Sequence, residues 1–124
     1  MAIHEAAENY LETIYMLRKK NGHCRSIDVA TDLGYSKPTV SIAMRNLRAS
    51  GHVLMDDAGE LTLTPIGLEI AQNMYERHEL IASFLISLGV PHEIAYHDAC
   101  KIEHDLSPES FEAIKENLPR MTKK

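Results

Sequence analysis

Between Ala6 and Lys20 the apolar residues Ala7, Tyr10, Leu11, Ile14, Tyr15 and Leu17 recur three or four apart. That period lines one face of an α-helix, and Asn21-Gly22 predicts its end. The opposite side carries Glu5, Asn9, Glu12 and Met16. Ser26 then predicts the cap of a short helix containing Ile27, Val29, Ala30 and Leu33, stopped by Gly34. The chain restarts at once. Ser36-Lys37-Pro38 places a capping hydroxyl and a first-turn proline ahead of Val40, Ala43, Met44 and Leu47, and Ser50-Gly51 closes the element. Two short helices joined by a tight glycine turn predict a helix-turn-helix.

Val53-Leu54-Met55 and Leu61-Thr62-Leu63 are short strand-like runs around the turn Asp56-Asp57-Ala58-Gly59-Glu60, so a hairpin wing follows. Thr64-Pro65 opens a long helix through Ile66, Ile70, Met74 and Tyr75. The later apolar run Leu80, Ile81, Phe84, Leu85 and Leu88 leaves open whether that helix bends near His78. Pro91 in a first turn and Ser107-Pro108 as the next start bound a helix over 91–105, with Ala95, Ala99, Ile102 and Leu106 as its apolar stripe. Phe111, Ile114, Lys115 and Leu118 predict a last amphipathic helix ending at Pro119, ahead of a frayed basic tail, Arg120 to Lys124. The expected fold is mainly α: a winged helix-turn-helix over residues 1–64 and an all-helical domain over 65–124.

Charge sharpens this picture. The chain has 124 residues and a net charge of −5. Within 18–52, however, Arg18, Lys19, Lys20, Arg25, Lys37, Arg45 and Arg48 face only Asp28 and Asp32, a local excess of five positive charges. With Ser36 and Pro38 expected near the groove at the start of the second helix of the pair, its exposed positions Lys37, Thr39, Ser41, Arg45, Asn46 and Arg48 supply hydroxyls, an amide and cations. All can reach base edges or phosphates of double-stranded DNA. No run approaches the roughly 20 apolar residues that span a bilayer. The start, Met1-Ala2-Ile3-His4-Glu5, lacks the basic and apolar stretches of a signal peptide. A cytoplasmic protein is expected, with Cys24 and Cys100 as thiols or metal ligands.

Helical spacing puts Cys100, Glu103 and His104 on one face. A thiolate, a carboxylate and an imidazole together suit Fe(II), Mn(II), Co(II), Ni(II) or Zn(II). A polar surface face with a half-buried cysteine is the competing reading, and His78 is open to the same two readings. Asn9 and Glu12 offer oxygens that either bind metal or face solvent.

The order of elements and four stretches in it resemble the diphtheria toxin repressor family of metal-dependent transcriptional regulators, which includes the manganese transport regulators. The stretches are Glu8-Asn9-Tyr10-Leu11-Glu12-Thr13-Ile14-Tyr15, Ser36-Lys37-Pro38-Thr39-Val40-Ser41, Arg77-His78-Glu79-Leu80, and Cys100-Lys101-Ile102-Glu103-His104-Asp105-Leu106-Ser107. In that family the ligands come from the first helix, the long helix after the wing and the helix bearing the Glu-His pair. The resemblance therefore implies Glu12, His78, Cys100, Glu103 and His104 as ligands. Asn9 stands where manganese-type members have Asp and iron-type members have Met. Cys100 stands where iron-type members have Cys and manganese-type members have Glu, so the chain is a hybrid of the two patterns. The resemblance implies a short form without the SH3-like domain of longer members, and a homodimeric repressor of metal-uptake genes. It would bind a near-palindromic operator with Fe(II) or Mn(II) as corepressor. The thiolate favours Fe(II). Two rival readings are a winged-helix oxidant sensor acting through Cys100 or Cys24 and a small metal-dependent hydrolase. The second lacks a phosphate-binding glycine loop and a nucleophile-base pair.

Overall fold

The computed structural model describes residues 5–122, with side chains described for 5–117. In chain order it contains α1 (Glu5–Asn21), α2 (Ser26–Leu33), α3 (Lys37–Ala49), β1 (Val53–Met55), β2 (Leu61–Leu63), α4 (Pro65–Ser87), α5 (His92–Ile102) and α6 (Pro108–Thr122). Two compact units meet between Asn73 and Met74, inside α4.

The first unit is a winged helix-turn-helix. Its core joins Tyr10, Leu11 and Ile14 of α1 to Val29 and Ala30 of α2, Val40, Met44 and Leu47 of α3, Val53 and Leu61 of the hairpin, and Ala71 of α4. Ser36 caps α3 by accepting from the Thr39 amide at 3.3 Å, and Pro38 follows in the first turn. Such a cap is worth about 1 kcal/mol. The α2 cap differs from expectation. Arg25, not Ser26, precedes the helix, and its amide donates to the Asp28 carboxylate at 2.9 Å. Ile27 is exposed, because an eight-residue helix packing through Val29, Ala30 and Leu33 turns position 27 away from the core.

The wing pairs antiparallel with Val53 opposite Leu63 and Met55 opposite Leu61. Asp56 closes the turn by accepting from the Ala58 and Glu60 amides, both at 2.9 Å. Gly59 takes the positive φ of 85° that the turn needs. The base of the wing is tied inward. The Glu60 carboxylate accepts from the Cys24 amide at 2.8 Å and from the Arg18 guanidinium, which also donates to the Leu61 carbonyl at 3.0 Å. Thr64 anchors the start of α4 by donating its hydroxyl to the Gly51 carbonyl at 2.7 Å. At Gly67 a Cβ would collide with the His52 carbonyl oxygen, so the helix can lie this close only without a side chain there.

The second unit packs Ile81 and Ala82 of α4 on Ala99 of α5, with Leu85, Tyr96 and Leu106 at the margin. α4 runs unbroken past His78, which settles the question the apolar pattern left open. α5 is shorter than the expected 91–105 helix. Pro91 is its N-cap, and it ends at Ile102, so Glu103 and His104 lie in the turn that follows. The reason lies in Arg77, whose guanidinium donates to the Glu103 carbonyl at 2.9 Å and the Leu106 carbonyl at 3.0 Å. With those acceptors taken, the chain tightens through the Asp105 amide to Ile102 carbonyl bond of 3.0 Å. Ala95 and Ala99 are buried as expected, but Ile102 is exposed. α6 also departs from expectation by continuing through Pro119 to Thr122. Pro119 lies inside the helix, where it removes one backbone donor. The helix thereby includes part of the expected frayed tail, whose last two residues, Lys123 and Lys124, lie outside the described residues. No described helix is long and apolar enough to cross a membrane.

Candidate metal centre and recognition helix

In the second unit, one ligand atom each from His78, Cys100 and Glu103 lie within 4.8 Å of one another. α4 contributes the imidazole, α5 the thiol, and the turn after α5 the carboxylate. Glu103 is 0% exposed. Its Oε2 lies 3.2 Å from His78 Nδ1 and its Oε1 lies 3.4 Å from His104 Nε2, with the His104 side chain 1% exposed. Neither carboxylate oxygen, nor His78 Nδ1, has a hydrogen-bond partner of acceptable geometry among the described residues. A buried carboxylate left in that condition costs on the order of several kcal/mol. A cation coordinated by both Glu103 and His78 would offset that cost. The donor set therefore fits a divalent transition metal, with sulfur, nitrogen and oxygen all represented.

Groups behind the trio hold it in shape. Arg77 fixes the turn carrying Glu103 and His104 through its two carbonyl bonds, and its guanidinium lies 5.0 Å from the Phe111 ring. Tyr96 sits beside His78, ring centroids 5.2 Å apart, and its hydroxyl donates to Glu79 Oε1 at 2.8 Å. That bond and burial raise the Tyr96 pKa. The His92 ring also lies against Tyr96, tilted by 37° with centroids 4.6 Å apart. In the first unit, Glu12 is buried at 5% exposure rather than solvated, and Asn9 is half-buried. Cys24 is also buried. Burial, and then the nearby Asp28 and Glu60 carboxylates, push its thiol pKa up to about 12. Cys100 is exposed, and both cysteines are thiols.

On α3, Lys37, Pro38, Thr39, Ser41, Arg45, Asn46 and Arg48 are all exposed, as is Ser36 at its cap. The helix contains no acidic residue. The Ser36 and Thr39 hydroxyls are 2.8 Å apart, so both belong to the cap as well as to the surface. The helix thus presents three cations and a row of hydroxyls outward, while Val40, Met44 and Leu47 hold it to the core.

The description "iron dependent repressor, N-terminal DNA binding domain" matches residues 2–59, and "iron dependent repressor, metal binding and dimerisation domain" matches residues 64–124. The chain belongs to the iron dependent repressor family. Among curated relatives of this family, the transcriptional regulator MntR of Salmonella typhimurium is 38% identical over 109 residues, covering 88% of this chain and 69% of that protein. The MntR regulator of Lysinibacillus sphaericus is 35% identical over 107 residues, covering 86% and 77%. A solved manganese-dependent transcriptional repressor in complex with manganese superposes with a TM-score of 0.81 at 30% identity, covering 90% of this chain and 52% of that one. The IdeR structure of T. acidophilum gives 0.77 at 26% identity, covering 95% and 55%. The chain spans about half the length of these two solved structures.

As a member of the iron dependent repressor family, the protein is a metal-dependent DNA-binding transcriptional regulator and not an enzyme. The hydrolase reading falls with that, and the oxidant-sensor reading finds no support among the relatives. Of the residues singled out from sequence, the fold brings together His78, Cys100 and Glu103, with His104 against Glu103. Arg77 and Tyr96 were missed as supports of this centre. The only signal available for Arg77 was its place in the Arg77-His78-Glu79-Leu80 stretch. Tyr96, in the middle of α5, carried none.

Proposed function

We propose that this chain is a cytoplasmic homodimeric repressor of metal-uptake genes, with Fe(II) or Mn(II) as corepressor. The proposed ligands are His78, Cys100, Glu103 and His104, and Glu12, which the family resemblance implies, is a further candidate oxygen donor. Asn9 is a weaker oxygen donor, since an amide carries no charge. The observation that supports this most is the buried Glu103 carboxylate, facing two imidazoles and a thiol without a proper hydrogen-bond donor of its own. The division of labour proposed is residues 1–64 for DNA and 65–124 for metal binding and dimerisation.

When bound, the metal supplies a fixed positive centre that neutralises the carboxylates and favours whichever arrangement of the chain presents all ligands together. The chain's own groups then decide the response. Glu103 and His78 bind; Arg77 holds the turn in place. Only an arrangement with higher metal affinity gains population, and a differential affinity of a few kcal/mol turns a poor DNA binder into a good one. On the DNA side, Ser36, Lys37, Pro38, Thr39 and Ser41 near the start of α3 approach the major groove, while Arg45 and Arg48 approach phosphate. Two such helices related by a two-fold axis require half-sites about 34 to 36 Å apart, or a small multiple, in a near-palindromic duplex. Cys100 biases the centre toward Fe(II), because thiolate favours it over the harder Mn(II).

The test is electrophoretic retardation of a duplex selected from a randomised library, under anaerobic conditions, with chelator, Fe(II) or Mn(II). Retardation only with metal is expected. Equal affinity in chelator and in saturating metal would refute the corepressor role.

A further inference from the structure

On α3, Ile42 is a large apolar side chain at 52% exposure. Its position on the helix is specific. At about 100° per residue, Val40, Met44 and Leu47 form the buried stripe, and Ile42 lies almost opposite its centre. Thr39 and Asn46 flank it on one side, Pro38 and Arg45 on the other. The middle of the outward face of a cationic helix is therefore occupied by a side chain with no hydrogen-bonding atom. A single exposed isoleucine is ordinary on a protein surface, but this one stands among Thr39, Arg45 and Asn46, whose polar groups are suited to a nucleic-acid groove.

We propose that Ile42 is a specificity-determining residue that reads the 5-methyl group of a thymine in each operator half-site. This rests on the assignment of α3 as the groove-reading helix. The major-groove edges of the base pairs offer donors and acceptors throughout, and the thymine methyl is the apolar feature among them. Against that methyl, Ile42 buries apolar surface on both partners. Against guanine N7 and O6, or the cytosine amino group, it removes water from a polar edge and returns no hydrogen bond, which is unfavourable. One side chain thus favours T·A and disfavours G·C at the same step. The flanking cations fit this arrangement, since Arg45 provides a phosphate anchor that sets the depth of the helix without itself carrying sequence information.

The experiment uses the full chain with Mn(II). A duplex is selected from a randomised library, and each of its thymines is replaced in turn by deoxyuracil, which lacks only the methyl. For the wild type, one thymine per half-site is expected to matter, with a loss of about fourfold on replacement, the equivalent of one buried methyl group. Ile42→Ala should bind the thymine duplex more weakly and be indifferent to deoxyuracil at that position. Ile42→Val, which keeps a branched apolar tip, should retain the discrimination. Circular dichroism and thermal melting confirm folding of both variants. The proposal is overturned if the wild type tolerates deoxyuracil everywhere, or if Ile42→Ala keeps the full discrimination. A library yielding no enriched duplex at all would instead remove the groove-reading role of α3, and this proposal with it.

Discussion

His78 Nδ1 lies 3.2 Å from a Glu103 carboxylate oxygen that has no hydrogen-bond donor among the described residues, inside a wholly buried carboxylate site. The metal-free protein therefore buries a carboxyl group whose oxygens are open to a cation. Glu103→Gln replaces that carboxyl with an amide of the same shape. The metal-free variant is expected to be more stable than the metal-free wild type, because an amide costs less to bury than a carboxylate and can also donate to a facing imidazole nitrogen. It should also lose the metal-induced rise in melting temperature. For the wild type that rise corresponds to about 2.7 kcal/mol at a free metal concentration one hundred times its dissociation constant. Thermal melts in chelator and in Mn(II) measure both; an unchanged metal response in Glu103→Gln would remove Glu103 from the ligand set.

The two thiols should behave oppositely. Cys100 is exposed and Cys24 is buried with its proton firmly held, so an alkylating reagent at pH 8 should modify Cys100 alone. Mn(II) or Fe(II) should protect it, because a coordinated thiolate is no longer available to attack. Mass spectrometry of digests with and without metal reads the outcome. Modification of Cys100 at equal rates in both conditions would exclude it as a ligand. Cys100→Glu is expected to narrow or reverse the preference for Fe(II) over Mn(II) in anaerobic titrations.

Arg77 acts on the centre from behind. Its guanidinium holds the Glu103 and Leu106 carbonyls, so Arg77→Ala should cost about 1.5 to 3 kcal/mol, the range for hydrogen bonds to charged groups. Metal affinity should drop about 10- to 100-fold, as it does when groups supporting the ligands are lost. Isothermal titration with Mn(II) tests this. A drop in stability with unaltered metal affinity would confine Arg77 to a folding role.

Alkaline pH should destabilise the first unit through Cys24. The folded state keeps the thiol proton to about 12, whereas the ordinary thiol releases it near 9.0. Between those values the folded state binds more protons, so stability is intact below about pH 9 and falls as pH rises through the window. The pKa of the Tyr10 hydroxyl, raised by burial and then by Tyr35, acts in the same direction. Urea unfolding of the wild type and Cys24→Ala from pH 8 to 11 should give a shallower decline for the variant, although it starts lower for want of the buried sulfur. Parallel slopes would show that the Cys24 proton does not govern the alkaline loss.

The element order, the helix-turn-helix, the wing and the α3 cap were legible in the sequence. Local chemistry decides them: apolar period, a capping serine before a proline, and glycines where the chain must turn. Cys100, Glu103 and His104 were visible too, as residue types spaced closely enough to share a site. Tertiary structure decided the rest. The end of α5 at Ile102 depends on a guanidinium 26 residues earlier in the chain taking a carbonyl, and no local pattern records such a bond. The convergence of His78 on Glu103 requires α4 to run straight through position 78, which the apolar run permitted without requiring. The outward placement of Ile27 and Ile42 likewise became visible only once packing had chosen which face of each short helix to bury. A hydrophobic period states that a helix has an inward side, but where a helix is short or apolar on more than one side, the partner it packs against selects which.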